Sequence, residues 1–330
     1  MKGTVPFLLV LAIIFTVPSI LAHTPLKLED DNNSLEAALE IKNPTKSWTL
    51  YREIYETDEA NYYKLDLGPG ERLVISLYVP RNEDPNFAPH LLVMGPDIQS
   101  KGEVPTYVET PNDVGVAVIE GRRPPKPEYE PFTPSSYFYL ADVDVTISNG
   151  GTYHFAVYEP SIEGRYGLAV GYREVFTLSE WLLIPLNVIN IHVWEGQPLA
   201  FIFTPMVVTL LIGIGYMFLK IQSRESLSTH LGFFGGLLFV GSGFMTLMQM
   251  MVALNSAEST SSAIITFVFI AIPMLLGLQI MRSAYKINKN STLKDRATFA
   301  ILGLVGLFIW AGILLGPIFV FVASIVPGKS

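Results

Sequence analysis

Cysteine is absent from the 330-residue chain, which excludes disulfide staples, thiolate zinc sites, Fe–S clusters and thiol catalysis. Charge is scarce as well: 16% of residues are Asp, Glu, Lys or Arg, against about 25% in ordinary soluble domains. From His23 to Gln197 there are 13 Lys and Arg against 27 Asp and Glu, a net of −14. No basic face for a phosphate backbone can be built there, so nucleic acid is excluded as a partner. A Gly-x-Ser-x-Gly elbow, an HExxH pair and a P-loop, the local patterns of common hydrolytic and nucleotide sites, are missing too. Disorder is excluded by the opposite fact, since a chain that is 50% hydrophobic is too apolar to remain unfolded.

In place of charge the chain has long apolar stretches. The first, Val5–Ile20, follows Lys2, is broken by Pro6 and Pro18, and ends at Ile20-Leu21-Ala22. A positive start, a short apolar core and a small residue at its end form a secretory signal, read here as residues 1–22 with cleavage after Ala22. Four later stretches have the roughly 20 apolar residues that a hydrocarbon core demands: Leu199–Leu219, Leu231–Leu254, Ala263–Met281 and Phe299–Val326. Residues 198–330 are therefore expected to form a four-helix transmembrane bundle. Lys220 and Arg224 fall in the loop 220–230, and Arg282, Lys286, Lys289, Lys294 and Arg296 in the loop 282–298, whereas Asn255–Ser262 has neither Lys nor Arg. Positive loops stay in the cytoplasm, so this multi-pass protein of the cell membrane would keep its N-terminal domain outside and place Pro327–Ser330 outside as well.

No Asp, Glu, Lys or Arg lies inside any of these spans, and such groups are the usual mark of ion-coupled transport. Small residues recur instead. Gly232 and Gly236, and Gly312 and Gly316, sit four apart, a spacing that lets helix backbones approach closely within the chain or in a homo-oligomer. Pro205, Pro273 and Pro317 are expected kinks.

Between the signal and the first span, the hydrophobic period changes to two. Arg72–Val79, Asp113–Ile119, Tyr137–Ile147, Gly151–Tyr158 and Arg165–Tyr172 are β-prone runs, separated by turn signals such as Ser148-Asn149-Gly150-Gly151. Short strands at that spacing predict an antiparallel, jelly-roll-like β-sandwich over residues 23–176. Arg122–Pro134, with five prolines, reads as a stiff exposed loop suited to partner contact.

A family resemblance follows from these strands. Asn61-Tyr62-Tyr63-Lys64-Leu65-Asp66-Leu67 with Gly70, Leu73 and Ile75, then Leu91–Pro96, then Gly151–Val157 and Arg165–Val170, resemble the opening strands, central strand and closing hairpin of the pre-peptidase C-terminal domain family. The likeness covers about half of the exported region. It implies a small extracellular β-sandwich of the kind that accompanies secreted enzymes, sometimes binding matrix polymers or calcium. The insert Ser100–Ser135 departs from the family and no peptidase module is attached, so no ligand carries over.

Residues 177–197 join the halves. Thr177 and Glu180 form a capping-box signature, and Trp181 and Trp194 flank an apolar segment interrupted by Pro185. This reads as an interfacial amphipathic helix whose indoles settle at the headgroups, or equally as a cover for the sandwich base.

Candidate metal ligands are sparse. Cleavage after Ala22 would make His23 the mature N-terminus, whose α-amine and imidazole suit Cu(II), with His90 or His154 completing the site. Met245, Met248 and Met251 add thioethers soft enough for Cu(I). Asp142 and Asp144 share a strand face and read as solvated positions, with calcium as the second reading. Asn32-Asn33-Ser34 is a glycosylation sequon on the exported side, and Asn290-Ser291-Thr292 falls in a cytoplasmic loop. The function these features support is binding rather than catalysis, with no cofactor required. An extracytoplasmic sandwich on a lipid-embedded bundle would engage a membrane or cell-surface protein, a polymer, or a second copy. The alternative is a copper-binding or copper-dependent membrane protein built on His23.

Overall fold

The computed structural model describes residues 24–26, 31–220, 226–257, 261–286 and 292–326. The expected signal peptide, His23 and the Asn290 sequon lie outside the described residues. The N-terminal region forms two sheets packed face to face. One has six strands in the order β1 (Thr24–Pro25), β3 (Trp48–Ile54), β11 (Gly164–Val170), β5 (Arg72–Pro80), β9 (Ser135–Thr146), β8 (Glu128–Glu130). The other has five, in the order β2 (Leu39–Glu40), β4 (Ala60–Leu67), β10 (Gly151–Tyr158), β6 (His90–Gly95), β7 (Gly115–Ile119). The sheets are mixed rather than purely antiparallel. The two-residue strands β1 and β2 run parallel to β3 and β4, because each is reached through a loop and not through a tight hairpin.

Alternation along each strand explains the packing. Leu50 and Ile54, Leu73, Ile75 and Leu77, and Tyr166, Leu168 and Val170 point inward from the six-stranded sheet, to meet Tyr63, Leu65, Leu91, Val93, Tyr153 and Phe155 from the other. The residues between them face outward. Over the five-stranded sheet, Tyr62, Leu92, Met94 and Tyr158 are covered by Val104, Tyr107, Val114 and Val116 of the insert. Over the six-stranded sheet, the outward residues Tyr51, Tyr78, Tyr137 and Tyr139 gather near Trp194.

A β-bulge makes that last grouping. Leu77 pairs with Ala141 but Tyr78 pairs with Tyr139, so Leu140 is supernumerary in β9. Ala141 and Val143 face the core on one side of it, while Tyr139 and Tyr137 face outward on the other, as expected where an extra residue re-aims a strand. Gly167 makes room for this face: a Cβ there would lie 2.1 Å from the Tyr78 ring.

Among the described residues six helices follow: α1 (Leu178–Trp194), α2 (Leu199–Lys220), α3 (Leu227–Leu254), α4 (Ala263–Lys286), α5 (Leu293–Phe308) and α6 (Leu315–Ile325). Three of them, α2, α3 and α4, are long and apolar enough to cross a membrane. The expected fourth span, Phe299–Val326, is not one helix. It breaks between Phe308 and Leu315, where Trp310, Gly312, Ile313 and Leu314 have φ of +53°, +68°, +53° and +64°. β-branched Ile313 is especially strained in that region. The two halves fold into a hairpin, for Arg296 at the start of α5 donates to the carbonyls of Ser324 (2.7 Å) and Ile325 (3.0 Å) at the end of α6. Pro317 therefore sits in the first turn of α6 rather than at a kink, where its missing N–H costs nothing.

The hairpin changes the expected placement of the C-terminal end. Ser228, at the start of α3, donates to Ala323 O at 2.6 Å, so α6 finishes beside the end of the bundle where α3 and α5 begin. The sandwich meets the opposite end, through Arg81 Nη1 to Ser256 Oγ (2.8 Å) and Tyr129 to Thr266 Oγ1 (2.7 Å). The expected position of Pro327–Ser330 lies outside the described residues, and the full fourth span on which it rested is replaced by this hairpin.

Candidate binding site at the junction

Between the sandwich and the helices lies a cavity of about 610 Å³. Its floor is the outward face of the six-stranded sheet: Tyr51, Tyr78, Tyr137 and Tyr139, with Glu130 beside them on β8. One wall is α1, the second is formed by Met245 and Gln249 of α3 with Phe269 and Pro273 of α4, and the third is the hairpin tip at Phe308–Ile313.

Local chemistry fixes each wall. Thr177 and Glu180 complete the capping box that starts α1, and Lys46 holds Glu180 at 2.6 Å. At the other end Arg165 donates to Trp194 O (2.7 Å) and Asn82 to Glu195 O (2.6 Å), so the helix is strapped across the sheet at both ends. Pro185 lies inside α1 and cannot donate to the carbonyl four residues earlier, Trp181 O. Trp310 Nε1 supplies the missing hydrogen bond at 2.8 Å. The same tip is tied to α3 by Gly312 N–H donating to Ser242 Oγ at 2.8 Å.

Polar groups cluster on one side. Tyr137 donates to Glu195 Oε1 (2.8 Å), and His192 Nδ1 lies 3.0 Å from Glu195 Oε2. Gln197 and Gln249 exchange amide hydrogen bonds at 3.0 and 2.7 Å, linking the connection between α1 and α2 to the membrane-capable helix α3. Glu130 accepts from Phe132 N–H at 3.1 Å. Burial pushes its carboxyl up to about 7, the Phe132 N–H opposes this, and nearby Glu174 adds to it. Burial also raises the phenols of Tyr51, Tyr137 and Tyr139 well above their ordinary value, so they serve as neutral donors and acceptors. The arrangement offers a large apolar volume with convergent oxygens on one wall, the usual form of a small-ligand pocket.

Of the candidate residues, Met245 and Trp181 line this cavity, and the others are placed apart from it or serve packing. His90 stands opposite Tyr158 and His154 opposite Met94, four positions or about 13 Å apart along β10 at about 3.3 Å per residue. His90 Nδ1 accepts from Gly121 N–H at 3.0 Å. Met245 is buried and Met251 is 61% exposed, since each step of three residues turns about 60° round the helix. Among the described residues no three His, Asp or Glu gather as a metal cage. Asp144 is paired with Arg72 at 2.5 Å and Asp142 accepts from Ser76 at 2.6 Å, both on the exposed part of the sheet. Asn32 is buried, its Nδ2 donating to Tyr62 O at 2.8 Å, so the nitrogen that a glycan would occupy is engaged inside the fold.

Trp181 packs against Trp310 and Phe308, while Trp194 packs on Tyr51 and donates to Arg52 O. The two indoles dock α1 to the hairpin and to the sandwich respectively. A Cβ on Gly236 would lie 2.8 Å from Gly277 O, and one on Gly232 or Gly316 would meet Phe299 or Phe239. Gly312 lies in the helix break. The proline-rich loop Arg122–Pro134 seats on the helices, with Pro131 O accepting from Thr266 and Phe132 against Phe269, so this part of it is not the free surface expected.

No protein-family model matches the chain, and no curated protein matches it either. The site residues that sequence reasoning passed over are Glu130, Tyr137, Tyr139, Glu195, Gln249 and Trp310. Gln249 and Glu195 carried a signal, being polar groups within or next to a span; the tyrosine pair did not, because a bulge decides its face.

Proposed function

We propose that the chain is a multi-pass cell-membrane protein that acts by binding, with the sandwich outside, the basic loops in the cytoplasm, and residues 1–22 removed as a signal. The sandwich would present its outward surfaces to a surface protein or polymer, and the cavity at its base would hold a ligand at fixed height over the bilayer. The likeness of its strands to the pre-peptidase C-terminal domain belongs to the same proposal. One observation carries the reading. The sheet and the helices are braced to each other by Arg81–Ser256 and Tyr129–Thr266, with an aromatic chamber between them, a geometry suited to holding rather than to turnover.

Photo-crosslinking side chains placed at Tyr55, Val145 and Tyr172, all exposed on the sandwich, test the outer surface in intact cells. A discrete adduct at one of these positions is expected. A chain that runs alone from every position refutes the surface-partner part of the proposal.

A further inference from the structure

We infer that His192 is the polar anchor of the junction chamber, and that it holds a lipid-soluble ring bearing a hydroxyl group, of the phenol class. The inference rests on the reading of the junction as a binding site and names what binds there. His192 is 3% exposed and Glu195 8%. A carboxylate and an imidazole taken out of water together lose hydration that their attraction only partly returns, yet the fold holds this pair firmly. Glu195 ends α1 with its N–H on Ile191 O, and its carbonyl accepts from Asn82 at 2.6 Å. Its two carboxyl oxygens meet Tyr137 at 2.8 Å and His192 Nδ1 at 3.0 Å. An imidazole fixed in this way through one nitrogen offers the other.

The nitrogen on offer is Nε2, which has no hydrogen-bond partner among the described residues. None of the polar side-chain atoms sealed in without a partner belongs to His192, so Nε2 opens onto free space. The space that His192 borders is the chamber of about 610 Å³, within the roughly 300–1,000 Å³ of small-molecule sites. The group that meets Nε2 follows from the two states of the ring. With one proton, held on Nδ1 toward Glu195, the imidazole accepts at Nε2; with two it donates there. A hydroxyl both donates and accepts, so it pairs with either state, whereas an ether or a carbonyl pairs with one. The rest of the occupant has Tyr139, Trp181, Phe269, Phe308 and Trp310 to lie against. Such walls favour a ring over a flexible chain, because offset and edge-to-face pairs add to the area buried and a ring has fewer rotors to freeze. Two membrane-capable helices supply one wall, which suits an occupant that dissolves in lipid.

The test uses the full chain in nanodiscs, with isotope-labelled histidine, and three probes at equal mole fraction in the lipid: para-octylphenol, octylbenzene and dodecanol. Binding is read by tryptophan fluorescence, and contact by the imidazole nitrogen resonances, that of His192 being the one missing from His192→Phe. Wild type should bind para-octylphenol roughly five- to tenfold more tightly than octylbenzene, the worth of one hydrogen bond, and more tightly than dodecanol. The phenol should move the Nε2 resonance of His192 and octylbenzene should leave it in place. In His192→Phe the advantage over octylbenzene should vanish; should that variant fail to fold, the wild-type resonance decides alone. Val188→Trp, which fills the chamber from α1, should lose all binding. If octylbenzene binds as tightly as the phenol, or the His192 resonance stays still while the phenol binds, the anchor is refuted, and the chamber remains a site provided that Val188→Trp abolishes the binding. Dodecanol binding as tightly as the phenol would refute the ring. If no probe binds wild type, or if Val188→Trp binds all three as wild type does, the site reading falls too.

Discussion

Replacing Trp310 by Phe removes one donor together with the five-membered half of the indole. The ring that packs on Trp181 at 5.3 Å stays aromatic, but Trp181 O loses the hydrogen bond it receives at 2.8 Å. Pro185 cannot replace it. An unsatisfied buried acceptor costs about 1–3 kcal/mol, and hydrogen bonds measured within membrane proteins average lower, about 0.6 with a maximum near 1.7. A loss of about 1–2 kcal/mol is therefore expected. The same change made with Pro185→Ala should cost about 1 kcal/mol less, because residue 185 then has an N–H for Trp181 O, and the difference between the two backgrounds isolates the bond. The assay is unfolding in mixed micelles followed by far-UV circular dichroism, since fluorescence would lose one of four tryptophans. An equal cost in both backgrounds would refute the pairing of the proline with the indole.

Three further outcomes follow from the geometry. Glu130, ordinarily near 4.5, is held up to about 7, so the fold prefers its protonated form; the carboxyl costs nothing below about pH 4.5 and its penalty grows, to at most about 3 kcal/mol, as pH rises to about 7. Glu130→Gln should thus raise the unfolding temperature at pH 8 and leave it nearly unchanged at pH 4, and equal gains at both would show that ionisation is not the cause. Gly167→Val puts atoms 2.1 Å from the Tyr78 ring and should lower stability by about 1–3 kcal/mol, read as a lower melting temperature by circular dichroism; a neutral result would mean that the tyrosine floor moves freely. The chain lacks cysteine, so single cysteines at Leu293, Ile325 and Tyr55, all exposed, can be labelled cleanly. An impermeant thiol reagent should treat Leu293→Cys and Ile325→Cys alike and Tyr55→Cys oppositely, and a split between the first two would unmake the hairpin.

Elements with a strong period were legible. Alternation in Arg72–Val79 and Gly151–Tyr158 marked β5 and β10 within a residue or so, and unbroken apolar runs marked α2, α3 and α4, because burial and lipid each impose a pattern along a single element. The failures came where an outcome depends on contacts far apart in the chain. The α5–α6 hairpin is as apolar as a span, and only the carbonyls of Ser324 and Ile325 meeting Arg296 distinguish the two. Its local clue, Gly316-Pro317 ahead of a short apolar run, reads equally as a kink. The cavity was invisible for the same reason, since its floor, walls and lid come from β9, α1, α3 and the hairpin tip, and no stretch of sequence contains more than one of them.

The supernumerary Leu140 carries a consequence for how such a protein could diverge. Loss of that one codon would leave Ala141 opposite Leu77 and Tyr139 opposite Tyr78 in unbroken alternation, with Tyr137 and Tyr139 still facing outward and the Leu140 side chain gone from the core. Both sheets would keep their strand order and the tyrosine floor would persist, whereas pairing Leu140 itself with Tyr78 would turn Tyr137 and Tyr139 into the sandwich interior. The chamber floor thus survives loss of the extra residue and depends instead on strand register, which the pairing of Tyr139 with Tyr78 holds.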